Sequence, residues 1–485
     1  MTFPRVAIIG AGPVGTTLAR LLLLQTPSTS VTIFEGEASP NYRTQGGTLD
    51  LHTATGLAAL KEAGLWDEFL KHARYDGESL LMTDKNLKAF MQVKPSSSPE
   101  EKSYFGGQRP EIDRAALRQL LVESLPSEMI QWGHRLKEVR PGPDPKSNEL
   151  VFTLPDGSTT TKSGFDLIVG ADGAWSKVRS VLTEIKPKFA GIGHQSFEIP
   201  DAANTAPEVY RTVNRGSVFS HADGLKTSIQ QMGDGSLLVA VSFRTDDGDW
   251  FHNCPYDAFD LEEAKGAALA RLDGWHPVIR EAVSKARGRT VPRSFYMLPV
   301  GVRFEHRAGF TLVGDAAHLM TPFAGEGVNV GMEDARRLAR AVVAAGGGED
   351  PVVRLDGEVA AFEGDMFTRA GEFAELTESL MKTWFFTEDC PRSVYPSAMA
   401  THASFHAPRP LKSLALQSPV GAAAAAADEA ELAGATTAAD VWATEEATAE
   451  GVDETAATTA ELELELESES EELSMAGTVI FSMTH

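Results

Sequence analysis

A chain of 485 residues is long enough for two or three domains around a large core, and its formal charge of −24 offers no basic face to nucleic acid. From Leu411 onward 16 acids stand against one lysine, which leaves about −9 for the rest, an ordinary value for an enzyme body. Cys254 and Cys390 form neither a disulfide framework nor a metal motif, and no apolar run reaches the ~18 residues that span a bilayer, so no metal and no transmembrane segment are expected.

The first predicted strand starts near Arg5, too early for a leader to precede it, and a cytoplasmic location is expected. RVAIIGAGPVGTTLARLLLLQ (5–25) reads as a buried strand, a glycine turn and an amphipathic helix, and SVTIFEGEAS (30–39) as a second strand ending in an acid. GGTLDLHTATGLAALKEAGLWDEFLKHA (46–73) gives a polar loop and a helix. RPEIDRAALRQLLVESL (109–125) predicts another helix, opened by Pro110 and an acidic first turn.

Residues 130–161 alternate like strands, with PDGS as a hairpin turn, and FDLIVGADGAWSKVRSVL (165–182) is a further strand, turn and helix. From about Phe189 to Arg244 short alternating stretches such as GSLLVAVSFR predict an inserted antiparallel sheet. AGFTLVGDAAH (308–318) and GVNVGMEDARRLARAVVAA (327–345) return to strand and helix. Residues 359–386 predict one long helix packed across both domains. Past Pro391 the chain becomes rich in Ala, Thr and Glu and poor in aromatics, and such a segment buries too little apolar surface to offset its ordering entropy.

GAGPVG matches G-x-G-x-x-G between strand and helix: Gly10 for the tight turn, Gly12 for approach of a pyrophosphate, Gly15 for close packing, with Pro13 and Val14 opening the helix whose N-terminus favours phosphate. Glu35 ends the next strand 20 residues after Gly15, where a carboxylate can accept from an adenosine ribose. An acid there favours an unphosphorylated ribose, hence FAD or NAD over NADP.

Two later motifs separate those options. Gly170-Ala-Asp172-Gly173, followed by Ser176 and Arg179, resembles the second fingerprint of flavin aromatic hydroxylases, and GDAAHLMTPFAGEGVN (314–329) resembles their third. From about Val6 to Phe386 the ordered blocks are similar to the tetracycline-inactivating flavin monooxygenases. The fold this implies is α/β, a Rossmann-like FAD-binding domain of three-layer ββα type with an inserted antiparallel-sheet substrate domain, a long C-terminal helix and a disordered acidic tail. The boundaries expected are 1–185 and 291–350 for the two parts of the FAD-binding domain, 186–290 for the substrate sheet, 351–390 for the bridging helix and 391–485 for the tail.

The resemblance also implies roles. Glu35 binds the ribose, Asp50 and Arg114 lie along the flavin, Asp172 contributes to FAD and nicotinamide contacts, and Asp315 holds the ribityl chain. Backbone from Pro322 through Gly325, Gly327, Val328 and Asn329 faces the ring. Arg43 contacts NADPH, and Gln195 and Arg215 fall near the substrate clamp. No second glycine fingerprint appears, since GIGHQS lacks the third glycine, so NADPH or NADH is admitted transiently. His52 and His318 are read as loop supports rather than bases. Gly36 replaces an arginine and Glu326 a glutamine of those enzymes, which puts tetracycline in doubt as substrate.

The function implied is an FAD-dependent monooxygenase. It would use NAD(P)H and O2 to hydroxylate or otherwise oxygenate a medium-sized, polycyclic or polyketide-like molecule through a flavin C4a-hydroperoxide. The setting is secondary metabolism or antibiotic inactivation, with a monomer expected. The alternatives are an oxidase, halogenase or reductase of the same fold and, more remotely, a non-catalytic nucleotide-binding scaffold recruiting partners by its tail.

Overall fold

The computed structural model describes residues 4–26, 29–39, 46–94, 108–346, 351–388 and 390–391. Arg43 and the acidic tail lie outside the described residues. Apolar strands covered on both faces assemble a parallel sheet in the order Phe310–Leu312, Leu167–Gly170, Arg5–Ile9, Ser30–Phe34, Ile130–Gln131. Pairing of Arg5–Ile9 with Ser30–Phe34 and Leu167–Gly170 carries all three predicted fingerprints to one end of this sheet.

The helix Pro13–Gln25 packs on one side, burying Leu18, Leu21 and Leu22, and Gly331 lets the helix Gly327–Ala345 come close to it. A Cβ on Gly331 would lie 2.6 Å from Val14. On the other side the meander Arg135–Arg140, Glu149–Thr153, Thr159–Lys162 covers the sheet, with the Phe34 and Phe152 rings stacked at 4.6 Å. These are the three layers of the expected fold.

A second, seven-stranded sheet runs Arg287–Met297, Lys188–Ile199, Leu237–Arg244, Leu225–Gln231, Ser217–Ala222, Leu80–Asp84, Ala89–Val93. Its outer two strands come from residues 80–93, inside the stretch 1–185, and Leu80–Asp84 joins parallel to Ser217–Ala222 while the other pairs are antiparallel. The sheet is therefore not contiguous in sequence. One face is buried by the helices Pro207–Val213, Leu261–Arg271 and Pro277–Ser284. The other meets the helix Pro351–Phe386, about 54 Å long. That helix starts among the first core at Leu355 and Phe362 and ends against the sheet at Leu380, Trp384 and Phe385.

One predicted helix start is wrong. Glu111–Asp113 is a strand paired antiparallel with Thr48–Asp50, and the helix begins at Arg114. Pro110 fits the start of a strand as well as that of a helix, and burial of Ile112 against the core favours the strand. No helix among the described residues is long and apolar enough to cross a membrane.

Candidate functional site

The glycine turn has a different physical reason at each end. Gly10 has φ +109°, and a Cβ there would stand 2.4 Å from the Ala171 carbonyl oxygen; a Cβ on Gly15 would stand 2.2 Å from the oxygen of Gly10. At Gly12 a Cβ would meet no protein atom within 4 Å, so the space above it is open. Glu35 closes the next strand and its two oxygens accept from the Ala11 and Glu37 backbone N–H groups at 2.7 and 2.9 Å. Behind it a buried ion pair, Arg118 to Glu37 at 2.7 Å, holds this corner and was not anticipated from sequence.

Asp315 follows Gly314 at the end of Phe310–Leu312. Its side chain is exposed in the cleft it shares with Arg114 and with Arg293 of the seven-stranded sheet, and its carboxyl makes no hydrogen bond among the described residues. Surrounding protein raises its pKa by desolvation, against the pull of His318, Arg114 and Arg179. His318 is spent elsewhere. Buried, it pairs with Asp334 at 2.5 Å, and the same Asp334 oxygen accepts from the Gly314 N–H at 3.0 Å. Burial lowers the His318 pKa, but Asp334 outweighs it and the net shift is upward. His318 is thus a support for the turn that presents Asp315, as read from sequence, while Asp334 carried no signal.

Asp172 caps its own turn, accepting from Lys177 N–H at 2.7 Å, and Arg179 reaches back to the Ala316 carbonyl at 3.0 Å. The second and third fingerprints therefore brace each other. Arg114 is exposed to the same cleft and feels Asp315, Arg293 and Asp50.

Pro322, Gly325, Gly327 and Val328 lead into the helix Gly327–Ala345. Fully buried Asn329 ties that helix start to the strand end at Asp50. Its Nδ2 donates to the Asp50 carbonyl at 2.9 Å and its Oδ1 accepts from His52 N–H at 2.8 Å. His52 stands between two carboxylates, Asp50 at 2.9 Å and Glu326 at 3.2 Å, with Arg109 3.8 Å from both. Burial opposes charge on both Asp50 and His52. It is outweighed for Asp50 by His52 and Arg109, which bring its pKa to about 2, and for His52 by the two carboxylates, which raise it to about 9. Across the Thr48–Asp50 ladder Glu111 moves the other way, raised to about 8 by burial and by the charge of Asp50.

The two substrate residues expected in the sheet are not in the cleft. Gln195 is buried on the helix-covered face with Phe197, donating to the Ala258 carbonyl at 3.0 Å and to Thr290 Oγ1 at 2.5 Å. Arg215 is a surface arginine paired with Asp76 at 2.9 Å. One residue along from Gln195, His194 has the opposite orientation and stacks beside Phe295 at 5.0 Å. Burial, Arg293 and Lys226 lower its pKa to about 3. The signal that could have found this face is parity: in Leu225–Gln231 the core-facing Thr227 and Ile229 alternate with Lys226 and Ser228.

The chain is similar in sequence and in fold to known proteins. The family model described as FAD binding domain matches residues 4–358. Monooxygenase asqM of Emericella nidulans is 30% identical over 424 residues, 77% of this chain and 94% of that protein. Monooxygenase penA of Penicillium thymicola is 30% identical over 373 residues, 69% of this chain and 84% of that protein. Among solved structures, tetracycline destructase Tet(51) superposes with a TM-score of 0.57 at 18% identity, covering 83% of this chain and 96% of the other, a likeness of fold.

Proposed function

The chain belongs to the FAD-binding-domain family of flavin monooxygenases, and we propose that its electron donor is NADPH or NADH. Its substrate on this reading is a medium-sized, polycyclic or polyketide-like molecule, oxygenated in secondary metabolism or to inactivate a foreign compound. The observation that carries the reading is Asp315, an exposed carboxyl with no hydrogen-bonding partner among the described residues, presented at one sheet end with the open space over Gly12. A carboxylate held out of hydrogen bonding at such a point suits the hydroxyls of a sugar alcohol.

FAD fits these residues. Gly12 leaves room for the pyrophosphate, and the helix Pro13–Gln25 turns its N-terminus to it. Glu35 has lone pairs left for ribose hydroxyls after its two backbone contacts. Asp315 and Arg114 would hold the middle of the cofactor. When bound, FAD takes electrons from the nicotinamide and activates O2.

The chain's own part is binding, orientation and electrostatics. Asn329 is a positioning residue, since both ends of its amide are engaged in joining the helix start to Asp50. The N-terminus of Gly327–Ala345 offers a positive dipole end, and Glu326 beside it is matched by the His52 and Arg109 cations. Phe323 and Phe295 supply apolar walls that keep water from the reacting carbon. On the same reading residues 1–185 and 291–350 hold FAD and residues 186–290 the substrate, with the strands of residues 80–93 belonging to the substrate sheet. A single-chain enzyme of the cytoplasm is the accompanying reading, supported by a sequence with two cysteines, too few for a disulfide framework.

The visible spectrum of the purified protein tests this, followed by anaerobic addition of NADPH or NADH. A flavin spectrum that bleaches and returns in air is the expected result. Colourless protein that FAD does not reconstitute overturns it, and hydrogen peroxide released in step with nicotinamide oxidation, with every candidate substrate, would favour an oxidase.

A further inference from the structure

Lys226 stands among aromatic rings on the seven-stranded sheet. It lies on Leu225–Gln231 with its side chain on the face away from Ile229 and the helix-covered core. Its ammonium sits 4.2 Å from the centre of the Phe219 ring and 5.4 Å from that of Phe323. Phe323 belongs to the turn after Pro322 that leads into Gly327–Ala345, so the amine stands where the sheet meets the cofactor-binding half.

Among the described residues no carboxylate lies within ion-pair distance of Lys226, and burial is the single influence on its pKa, lowering it to about 8. The titratable neighbours on the same face are His194 and His221, each shifted down by burial and by the lysine charge, with Arg293 paired across the ladder from His194. Arg293 in turn faces Arg114, which lines the cleft with Asp315. Ring faces attract an ammonium but do not replace its lost hydration. A half-buried cation between aromatic rings, without an acid of its own, is arranged for an anion that arrives from outside.

We propose that Lys226 is the anion-binding residue of the substrate cleft, taking the conjugate base of an acidic oxygen (phenol, enol or carboxylic acid) carried on an aromatic ring that packs beside Phe219 and Phe323. This rests on reading the cleft as the substrate site. The residue selects substrates by acidity as well as by shape, and neutral ethers of the same ring are rejected because they leave the ammonium without a partner.

The test uses the holoprotein and 4-nitrophenol, whose neutral and ionised forms differ in colour, so the bound form is read without reference to flavin. 4-Nitroanisole is the neutral comparison, and 4-nitrobenzoate separates a carboxylate from a phenolate preference. Wild-type protein is expected to bind the phenolate at neutral pH, and nitroanisole about tenfold or more weakly. Its affinity for the phenolate falls as pH rises through about 8. Lys226→Met loses about tenfold or more and no longer selects the ionised form. Lys226→Arg, which keeps the charge, recovers most of the loss.

Equal binding by wild type and Lys226→Met overturns the proposal, as do equal affinities for nitrophenol and nitroanisole, or no binding of either anion by wild type. Should Lys226→Met fail to fold, the wild-type phenol and ether pair decides. Colourless protein that still takes the phenolate through Lys226 sinks the monooxygenase reading alone; yellow protein indifferent to Lys226 sinks the anion site alone.

Discussion

His52 Nδ1 lies 3.2 Å from Glu326 Oε2, joining the end of the Thr48–Asp50 strand to the start of the Gly327–Ala345 helix across 274 positions of sequence. With Asp50 on the other ring nitrogen and Arg109 beside both acids, two positive and two negative groups meet in one place. Breaking a buried pair leaves an uncompensated charge, so this cluster governs how stability responds to pH.

A His pKa raised in the fold contributes stability that is complete below its ordinary value of 6.5 and is lost as pH rises through about 9. The melting temperature should therefore decline on the alkaline side, with roughly 3 kcal/mol at stake. His52→Gln should be less stable at neutral pH and show a flatter alkaline limb. Glu111, raised from 4.5 to about 8, adds its own loss over that lower window, so Glu111→Gln should flatten the slope below pH 8 and leave the rest. Melting temperatures against pH for the three proteins check this; parallel curves would refute it.

Gly12 and Gly15 should separate binding from folding. Gly12→Ala adds a methyl to open space at φ −76°, ψ 174°, which alanine adopts freely. Its stability should stay within about 0.5 kcal/mol of wild type, while FAD affinity falls about tenfold or more. Gly15→Ala drives a methyl onto the Gly10 carbonyl and should cost about 3 kcal/mol or more. Flavin content and chemical denaturation of the two apoproteins make the comparison.

Asp315 is held at a cost to the fold. A carboxyl whose pKa is raised because surrounding protein takes the place of part of its water detracts from stability once pH exceeds its ordinary 3.8. Asp315→Asn should leave the apoprotein as stable at neutral pH as wild type, or more so, and weaken FAD binding by about ten- to a hundredfold. Equilibrium dialysis with FAD, set beside thermal melts, would show the two effects moving in opposite directions.

Asp334 touches the cofactor region only through other groups. Asp334→Asn removes the partner of buried His318 and weakens the acceptor for Gly314 N–H and Arg369. The expected cost is about 3–5 kcal/mol, with FAD affinity lowered through misplacement of Asp315. A variant that melts like wild type would show that the His318–Asp334 pair is not what fixes the turn.

The glycine turn, the strand ends at Glu35 and Asp315 and a long helix ending at Phe386 were legible in the chain because each depends on residues a few positions apart, whereas the three-layer fold was implied by the resemblance of the ordered motifs. Backbone conformation, capping and hydrophobic periodicity act at that range, so the motifs announce themselves wherever the chain later packs. Which side chains meet across the cleft was decided only in three dimensions. Glu111–Asp113 is a strand because Thr48–Asp50 lies alongside it, and residues 80–93 join the large sheet because Ser217–Ala222 offers an edge. A one-residue difference in parity puts Gln195 in the helix-covered core and leaves His194 and Lys226 facing the cofactor-binding half. Arg109, Asp334 and the partners of Glu326 carry no local signature, since a buried charge needs only a counter-charge near it in space, from any distance along the chain.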